Sequence, residues 1–211
     1  MHIPEGFISP QTFLPVAVFD AAVWWAAART IRGSLDETIL PFLAVGGAVL
    51  FVLSSLMIPI PGGTSIHLTG IWMAVALFGL RYSILLFSIV LLVQALLFGQ
   101  GGLSTFFTNT LAIAIAGPLL ASLVITLMGR NSKTALLLTG AAGVLGAALV
   151  TALLLGIQPL IASDAEGKPL YFPFGLGVVL PAVMLPHLAV AAVEGVITAL
   201  AVPRLRARME A

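Results

Sequence analysis

The sequence contains no cysteine and very little charge. Only 8% of its 211 residues are Asp, Glu, Lys or Arg, against about 25% in soluble globular domains. The lack of cysteine excludes disulfides and thiolate metal sites. The shortage of charge, together with 60% hydrophobic residues, indicates an integral membrane protein. A formal net charge of +1 with no basic cluster gives no indication of nucleic-acid binding.

Several motifs are also missing. No GxxxxGK(S/T) phosphate-binding loop occurs, so the chain is not expected to hydrolyse ATP itself. No HExxH pair occurs, which argues against a metal-dependent hydrolase. A membrane enzyme that uses a metal stays an alternative, but the sequence identifies no nucleophile or base for it. Residues 1–11 hold no Lys or Arg and so lack the basic start of a secretory signal, and we expect the mature chain to begin at Met1.

What the sequence has instead is a series of apolar runs. A helix needs about 20 apolar residues to cross the core of a bilayer. The runs predict an all-α integral membrane protein with a single membrane domain over residues 1–211, folded as a bundle of seven transmembrane helices. Residues 1–11 form an N-terminal segment ahead of the first helix. The predicted spans are about 12–28, 38–58, 64–80, 82–98, 109–128, 134–157 and 174–202.

The positively charged residues predict the orientation of these spans. When the loops are assigned to alternating sides, one side holds all but one of the Lys and Arg residues, and the other holds only Lys168. The larger set is Arg29, Arg32, Arg81, Arg130, Lys133, Arg204, Arg206 and Arg208. Positive charge stays cytoplasmic, so we expect the N-terminus outside the cell and the C-terminus in the cytoplasm.

Two loops are rich in residues that break helices. The apolar run that follows the breaker-rich residues 59–67, Leu68 to Leu80, has only 13 residues. It spans a bilayer only if part of the preceding loop lies at membrane depth, where protein or a water-lined cavity must satisfy non-helical backbone. Residues 59–69 are therefore a candidate site loop, and residues 99–108 form a second irregular loop.

The first two residues offer a metal chelate. The Met1 amine, the His2 amide nitrogen and the His2 imidazole would bind one ion through two fused rings, once the amide has lost its proton. Nitrogens in a plane suit Ni(II) or Cu(II), whereas Zn(II) prefers a tetrahedron. The chelate requires that Met1 is retained with a free amine. The alternative is that His2 binds nothing, as in most chains with histidine at this position.

The predicted topology places His67 at the same membrane face as His2. Its imidazole would supply a fourth nitrogen and close a square plane, so the candidate metal ligands are Met1, His2 and His67. The alternative for His67 is a polar loop residue at the membrane interface.

Besides His67, an Asp, a His and a Glu fall inside the predicted spans, where such groups are functional candidates by default. His187 is either a site residue or an interior histidine bonded to a backbone carbonyl. Glu194 lies seven residues further on roughly the same helical face, and a role in packing or at a partner interface is favoured over ligation. Asp20 is predicted mid-span, where it could pair with either.

Several motifs together resemble a known family. In chain order, they are similar to those of the nickel/cobalt substrate-binding membrane subunits of energy-coupling-factor transporters, the CbiM/NikM family. The resemblance covers nearly the whole chain, and its N-terminal and His67 motifs are the most specific. The motifs are Met1–Phe7, Ile58–Pro59 through His67–Gly70, Gln94–Leu97 with Gly101–Leu103 and Asn109, Gly117–Pro118, and Glu194–Gly195.

The resemblance implies capture of Ni(II) or Co(II) from outside the cell by the Met1 amine, the His2 amide and imidazole, and the His67 imidazole. It implies no cofactor beyond this transported ion. It implies a location in the plasma membrane. The implied partners are a transmembrane coupling subunit and two cytoplasmic ATPase subunits. A small accessory membrane subunit often accompanies members of the family, and here it would be a separate chain.

The resemblance favours nickel over cobalt. Gln100 stands where many cobalt members have histidine, and the loop around residues 59–64 looks more like that of nickel members. In the expected mechanism the ion displaces protons from the amine and the amide, and loops 59–69 and 99–108 close over it. ATP hydrolysis in the partners then opens the bundle inward. The alternative function is a stand-alone divalent-metal channel or carrier without ATPase partners.

Overall fold

The computed structural model describes residues 1–60 and 64–209, and it is mostly helical. Residues 61–63, part of the candidate site loop, lie outside the described residues. The elements are α1 Pro10–Ile31, α2 Ile39–Ser55, β1 Ile58–Ile60, β2 Thr64–Ile66, α3 Ile71–Phe78, α4 Leu80–Phe98, α5 Phe106–Asn109, a π-helical stretch Thr110–Ala116, α6 Gly117–Met128, α7 Lys133–Gly156, α8 Gln158–Ile161 and α9 Leu176–Met209.

Five helical segments of the described chain are long and apolar enough to cross a membrane. They are Pro10–Ile31, Leu80–Phe98, Phe106–Met128, Lys133–Ile161 and Leu176–Met209. Helix α2 is apolar but has 17 residues, and α3 has only eight. The prediction of a helical membrane protein that crosses the bilayer several times is confirmed, while the count of seven spans and the orientation stay predictions.

The all-α prediction omitted a short hairpin. Strands β1 and β2 pair antiparallel, with Ile58 opposite Ile66 and Ile60 opposite Thr64. The predicted third span, 64–80, is therefore helical only over α3. Gly70 precedes α3 with a φ of +65°, a left-handed conformation that favours glycine and cannot continue a right-handed helix. As a result, residues 67–70 form a non-helical segment that enters the bundle.

The last helix continues further than the predicted span 174–202. Helix α9 runs to Met209, so Arg204, Arg206 and Arg208, which follow the predicted span, lie on its final turns. Arginine is a good helix former, and the Arg206 guanidinium donates hydrogen bonds to the carbonyls of Arg130 and Ala76, both at 2.8 Å. These bonds attach the end of α9 to the rest of the bundle.

Helices α7 and α9 approach each other closely at two glycines. A Cβ atom added to Gly140 would lie 2.7 Å from the Gly195 Cα, and one added to Gly195 would lie 2.6 Å from the Leu137 carbonyl oxygen. Real Cβ atoms do not come this close to backbone atoms, so the two helices are in direct backbone contact here. This contact fixes the middle of α9 against α7.

Candidate metal centre

The N-terminal segment is buried inside the helical bundle. Met1 and Ile3 are fully buried, and the His2 side chain is only 4% exposed. Regular helix starts at Pro10, whose fixed φ and missing N–H suit the first helical position. Because residues 1–9 form no helix or strand, their buried main-chain groups need hydrogen-bond partners from other elements.

Polar side chains from several elements supply these partners. The Ile3 amide donates to Asn109 Oδ1 at 2.7 Å, and the Ile3 carbonyl accepts from Thr105 Oγ1 at 2.9 Å and Asn109 Nδ2 at 3.1 Å. The His2 carbonyl accepts from Thr64 Oγ1 at 2.9 Å. The main chain that directly follows the His2 side chain is thus held in place.

The structure brings the three predicted ligand residues together. The ring centroids of His2 and His67 lie 4.9 Å apart, with the ring planes tilted by 37°. The Met1 amine donates a hydrogen bond to the carbonyl of Ser65, two residues before His67. Metal–nitrogen bonds are about 2 Å long, so one ion can reach a nitrogen of each ring. The structure thus shows that the three residues lie close together, while their binding of a metal ion stays a prediction.

Hydrogen bonds define which His2 nitrogen is available. The Ser54 hydroxyl donates to the Leu50 carbonyl, so it accepts from Gln94 Nε2 at 2.8 Å. This arrangement turns Gln94 Oε1 towards His2 Nε2, at 3.3 Å. A carbonyl oxygen only accepts, so the proton sits on Nε2 and the lone pair on Nδ1. His2 Nδ1 is buried without a hydrogen-bond partner, and it is the nitrogen that closes a six-membered ring with the His2 amide.

A hydrogen bond also identifies the free ring nitrogen of His67. Its Nδ1 lies 3.4 Å from the carbonyl oxygen of Leu68, which can only accept. The proton therefore belongs on Nδ1, and Nε2 carries the lone pair. His67 Nε2 is likewise buried without a hydrogen-bond partner. A buried polar atom without a partner costs free energy, and a bound cation would satisfy both ring nitrogens.

Burial also keeps the candidate ligands uncharged. It lowers the pKa of the Met1 amine from 8.0 to about 4. Burial, and next the nearby amine, lower the pKa of His2 to about 3. The pKa of His67 falls well below 6.5 for the same two reasons, with a smaller contribution from His2. Metal ligands must be deprotonated, so at neutral pH these three groups already present lone pairs.

This charge state predicts a small proton release on metal binding. At pH 7 we expect Ni(II) to displace about one proton, from the His2 amide, because the amine and both imidazoles are already neutral. A synthetic peptide of residues 1–6, whose amine keeps an ordinary pKa, should release about two. Calorimetric titration in buffers of different ionisation enthalpy measures both counts. A release near two from the protein would contradict the burial of a neutral amine.

The sign of the pH effect on stability follows from the same shifts. The unfolded chain binds a proton at the Met1 amine below about pH 8, and the folded chain only below about pH 4. Between these values the unfolded state holds more protons, so the stability of the metal-free protein falls as the pH falls from 8 to 4. His2 adds to this loss below about pH 6.5.

The three buried ionisable residues of the helices have different surroundings. His187 Nδ1 bonds the Val183 carbonyl at 2.7 Å, as in the interior-histidine alternative. Both carboxylate oxygens of Asp20 are buried without a hydrogen-bond partner, so Asp20 pairs with neither His187 nor Glu194.

Within residues 1–60 and 64–209, no group of three or more His, Cys, Asp or Glu side chains is placed to hold a metal ion. The candidate centre differs in kind, since it combines two imidazoles with main-chain nitrogens.

Sequence reasoning did not assign roles to the side chains that hold the N-terminal segment. Gln94 and Asn109 entered only as parts of a family motif, and Thr64 and Thr105 only as parts of the two irregular loops. The available signal was an isolated amide or hydroxyl beside an apolar run, because such a group must find a partner once buried. That signal identifies the residue but not its partner.

Comparison with known proteins places the chain in a family. The family model described as "Cobalt uptake substrate-specific transmembrane region", CbiM, matches residues 2–211. The fused nickel transport protein NikMN of Rhodobacter capsulatus is 38% identical over 207 residues, covering 94% of this chain and 60% of that protein. The cobalt transport protein CbiM of Salmonella typhimurium is 34% identical over 214 residues, covering 99% and 84%.

Two solved structures are also similar. A crystal structure of a transition metal transporter has a TM-score of 0.95 at 37% identity, covering 100% of this chain and 95% of that one. A truncated form has a TM-score of 0.94 at the same identity, with 99% of each chain covered. The chain spans about 60% of the length of the fused nickel transport proteins it matches. With the family model matching residues 2–211, the resemblance is confirmed: this chain belongs to the CbiM family of cobalt and nickel transport proteins.

Proposed function

We propose that this chain is the substrate-binding membrane subunit of an energy-coupling-factor transporter that imports a transition-metal ion. The observation that carries the proposal is the buried cluster of Met1, His2 and His67. It contains a neutral amine beside two imidazoles, each with one unpartnered nitrogen. Relatives named as nickel or cobalt transport proteins support the choice of cargo.

The ion is held by four nitrogens in this proposal. The Met1 amine, the deprotonated His2 amide and His2 Nδ1 form two fused chelate rings, and His67 Nε2 occupies the fourth position. Loss of the amide proton gives the ligand set one negative charge, so the net charge of the ion with its ligands falls by one. This lowers the free-energy cost of holding the ion in a buried site. A planar set of nitrogens favours Ni(II), so nickel is the proposed cargo and cobalt the next candidate.

The N-terminal face lies outside the cell in this proposal, which the predicted distribution of Lys and Arg supports. A transmembrane coupling subunit and two cytoplasmic ATPase subunits supply the energy, because the chain has no phosphate-binding loop. A small accessory membrane subunit is a further partner in this proposal. Capture at the buried centre thus precedes an ATP-driven opening towards the cytoplasm.

Nickel uptake into proteoliposomes tests this function. The chain alone is expected to bind Ni(II) tightly and to pass none of it down a gradient. Addition of the coupling and ATPase subunits should give uptake that requires ATP. A matched preparation carrying His67→Ala should take up little Ni(II) under the same conditions. Passage of Ni(II) by the chain alone would instead establish a stand-alone channel or carrier.

A further inference from the structure

A buried carboxylate on α9 contacts the segment that carries His67. We propose that Glu194 is a positioning residue, which holds the His67 imidazole where it can bind the metal ion. The inference rests on the proposed function, since it assigns Glu194 a role in the same centre. Glu194 is 1% exposed and belongs to a helix distant in sequence from the N-terminal segment.

The contact is made through two neighbouring main-chain amides. Glu194 Oε1 accepts hydrogen bonds from the amides of Thr69 and Gly70. These amides lie between His67 and Ile71, the first residue of α3. Amides at the start of a helix lack intrahelical acceptors, and Glu194 Oε1 supplies one. Glu194 therefore caps α3 from across the bundle.

Glu194 projects from a part of α9 that cannot shift easily. The next residue, Gly195, is in direct backbone contact with α7 at Gly140. The Glu194 carbonyl also accepts a hydrogen bond from the Thr198 hydroxyl at 2.7 Å. The carboxylate is thus a fixed point against which the segment 67–70 is held.

The His67 ring depends on this support. Its own hydrogen bond, from Nδ1 to the Leu68 carbonyl, is long at 3.4 Å, so it orients the ring only weakly. The main chain around it is tied on both sides, by the Met1 amine at Ser65 and by Glu194 at Thr69. Groups that orient metal ligands typically contribute about 10- to 100-fold to metal affinity.

Two substitutions separate the proposed role from a general effect on folding. Glu194→Met keeps a similar volume but removes the acceptor, and Glu194→Gln keeps an acceptor oxygen. Glu166→Met, in an exposed loop, is the matched control. The measurements are Ni(II) affinity by calorimetry and the number of coordinated nitrogens, read from the superhyperfine structure of Cu(II) electron paramagnetic resonance spectra.

We expect Glu194→Met to weaken Ni(II) binding about 10- to 100-fold and to reduce the Cu(II) spectrum from four nitrogens to three. Glu194→Gln should retain four nitrogens and lose less than about tenfold in affinity, since the glutamine side chain keeps an acceptor oxygen of similar reach. Glu166→Met should match the unmodified protein. Four nitrogens with unchanged affinity in Glu194→Met would overturn the proposal, whereas absence of metal binding by the unmodified protein would overturn the proposed function instead.

Hydrogen exchange in the unmodified protein is a second test, which does not depend on Glu194→Met folding. Slow exchange of the Thr69 and Gly70 amides is expected in the metal-free state, because a buried carboxylate accepts from both. Exchange as fast as that of the exposed loop 130–132 would overturn the role assigned to Glu194.

Discussion

Adding two residues ahead of Met1 is expected to abolish high-affinity nickel binding. The extension converts the Met1 amine into an amide and removes the lone pair that starts the chelate. It also has no space, since Met1 is fully buried with its nitrogen against the Ser65 carbonyl. We expect Ni(II) affinity to fall more than about 100-fold, because even outer partners of metal ligands contribute about 10- to 100-fold.

The control for this prediction is a protein with a longer, cleavable extension ahead of Met1. A protease site placed so that cleavage leaves Met1 as the first residue should restore affinity after digestion. Two residues added at the C-terminus should have no effect. Calorimetric titration with Ni(II) measures all three samples. Tight binding by the uncleaved protein would show that the amine is not a ligand.

Replacement of His67 by alanine is expected to remove the fourth nitrogen. The Met1–His2 chelate would remain, with water in place of the imidazole, so Ni(II) affinity should fall about 100-fold or more. The Cu(II) spectrum should then show three coordinated nitrogens instead of four. The loss should be accompanied by little change in the helical circular dichroism, because His67 lies in a non-helical segment.

His187→Ala is the matched comparison. His187 is also a buried imidazole with an unpartnered Nε2, but it lies within α9 and bonds the Val183 carbonyl. This variant should keep four coordinated nitrogens. Four nitrogens in His67→Ala and three in His187→Ala would assign the fourth ligand to α9 and refute the square plane proposed for Met1, His2 and His67.

The class of the protein could be predicted from residue types alone. A chain with 8% charged residues and long apolar runs cannot satisfy the surface of a soluble domain, and helices are the way for such runs to satisfy their backbone in lipid. Element boundaries were less predictable. The breaker-rich loop 59–69 was expected to be non-helical, but the pairing of β2 with β1 and the left-handed conformation of Gly70, which sets the start of α3, were not predicted, because they depend on contacts with other elements.

The candidate site likewise had one part that the sequence could predict and one part that it could not. The N-terminal chelate could be written down because the Met1 amine, the His2 amide and the His2 imidazole are covalently adjacent, so local chemistry defines their geometry. Topology then suggested a face shared with His67, without a distance. The partners of these groups lie far away in sequence, as with Asn109 at Ile3 and Glu194 at Thr69, and no local pattern specifies such pairs.

The sequence by itself determined an apolar helical chain whose first two residues can chelate a metal, because composition and covalent adjacency suffice for both. Only the tertiary structure decided that the segment is buried, that His67 lies 4.9 Å from His2 between ring centroids, and which ring nitrogens lack partners. These properties arise from packing between distant elements, which lowers the pKa of the amine to about 4 and selects each histidine tautomer through its hydrogen bonds.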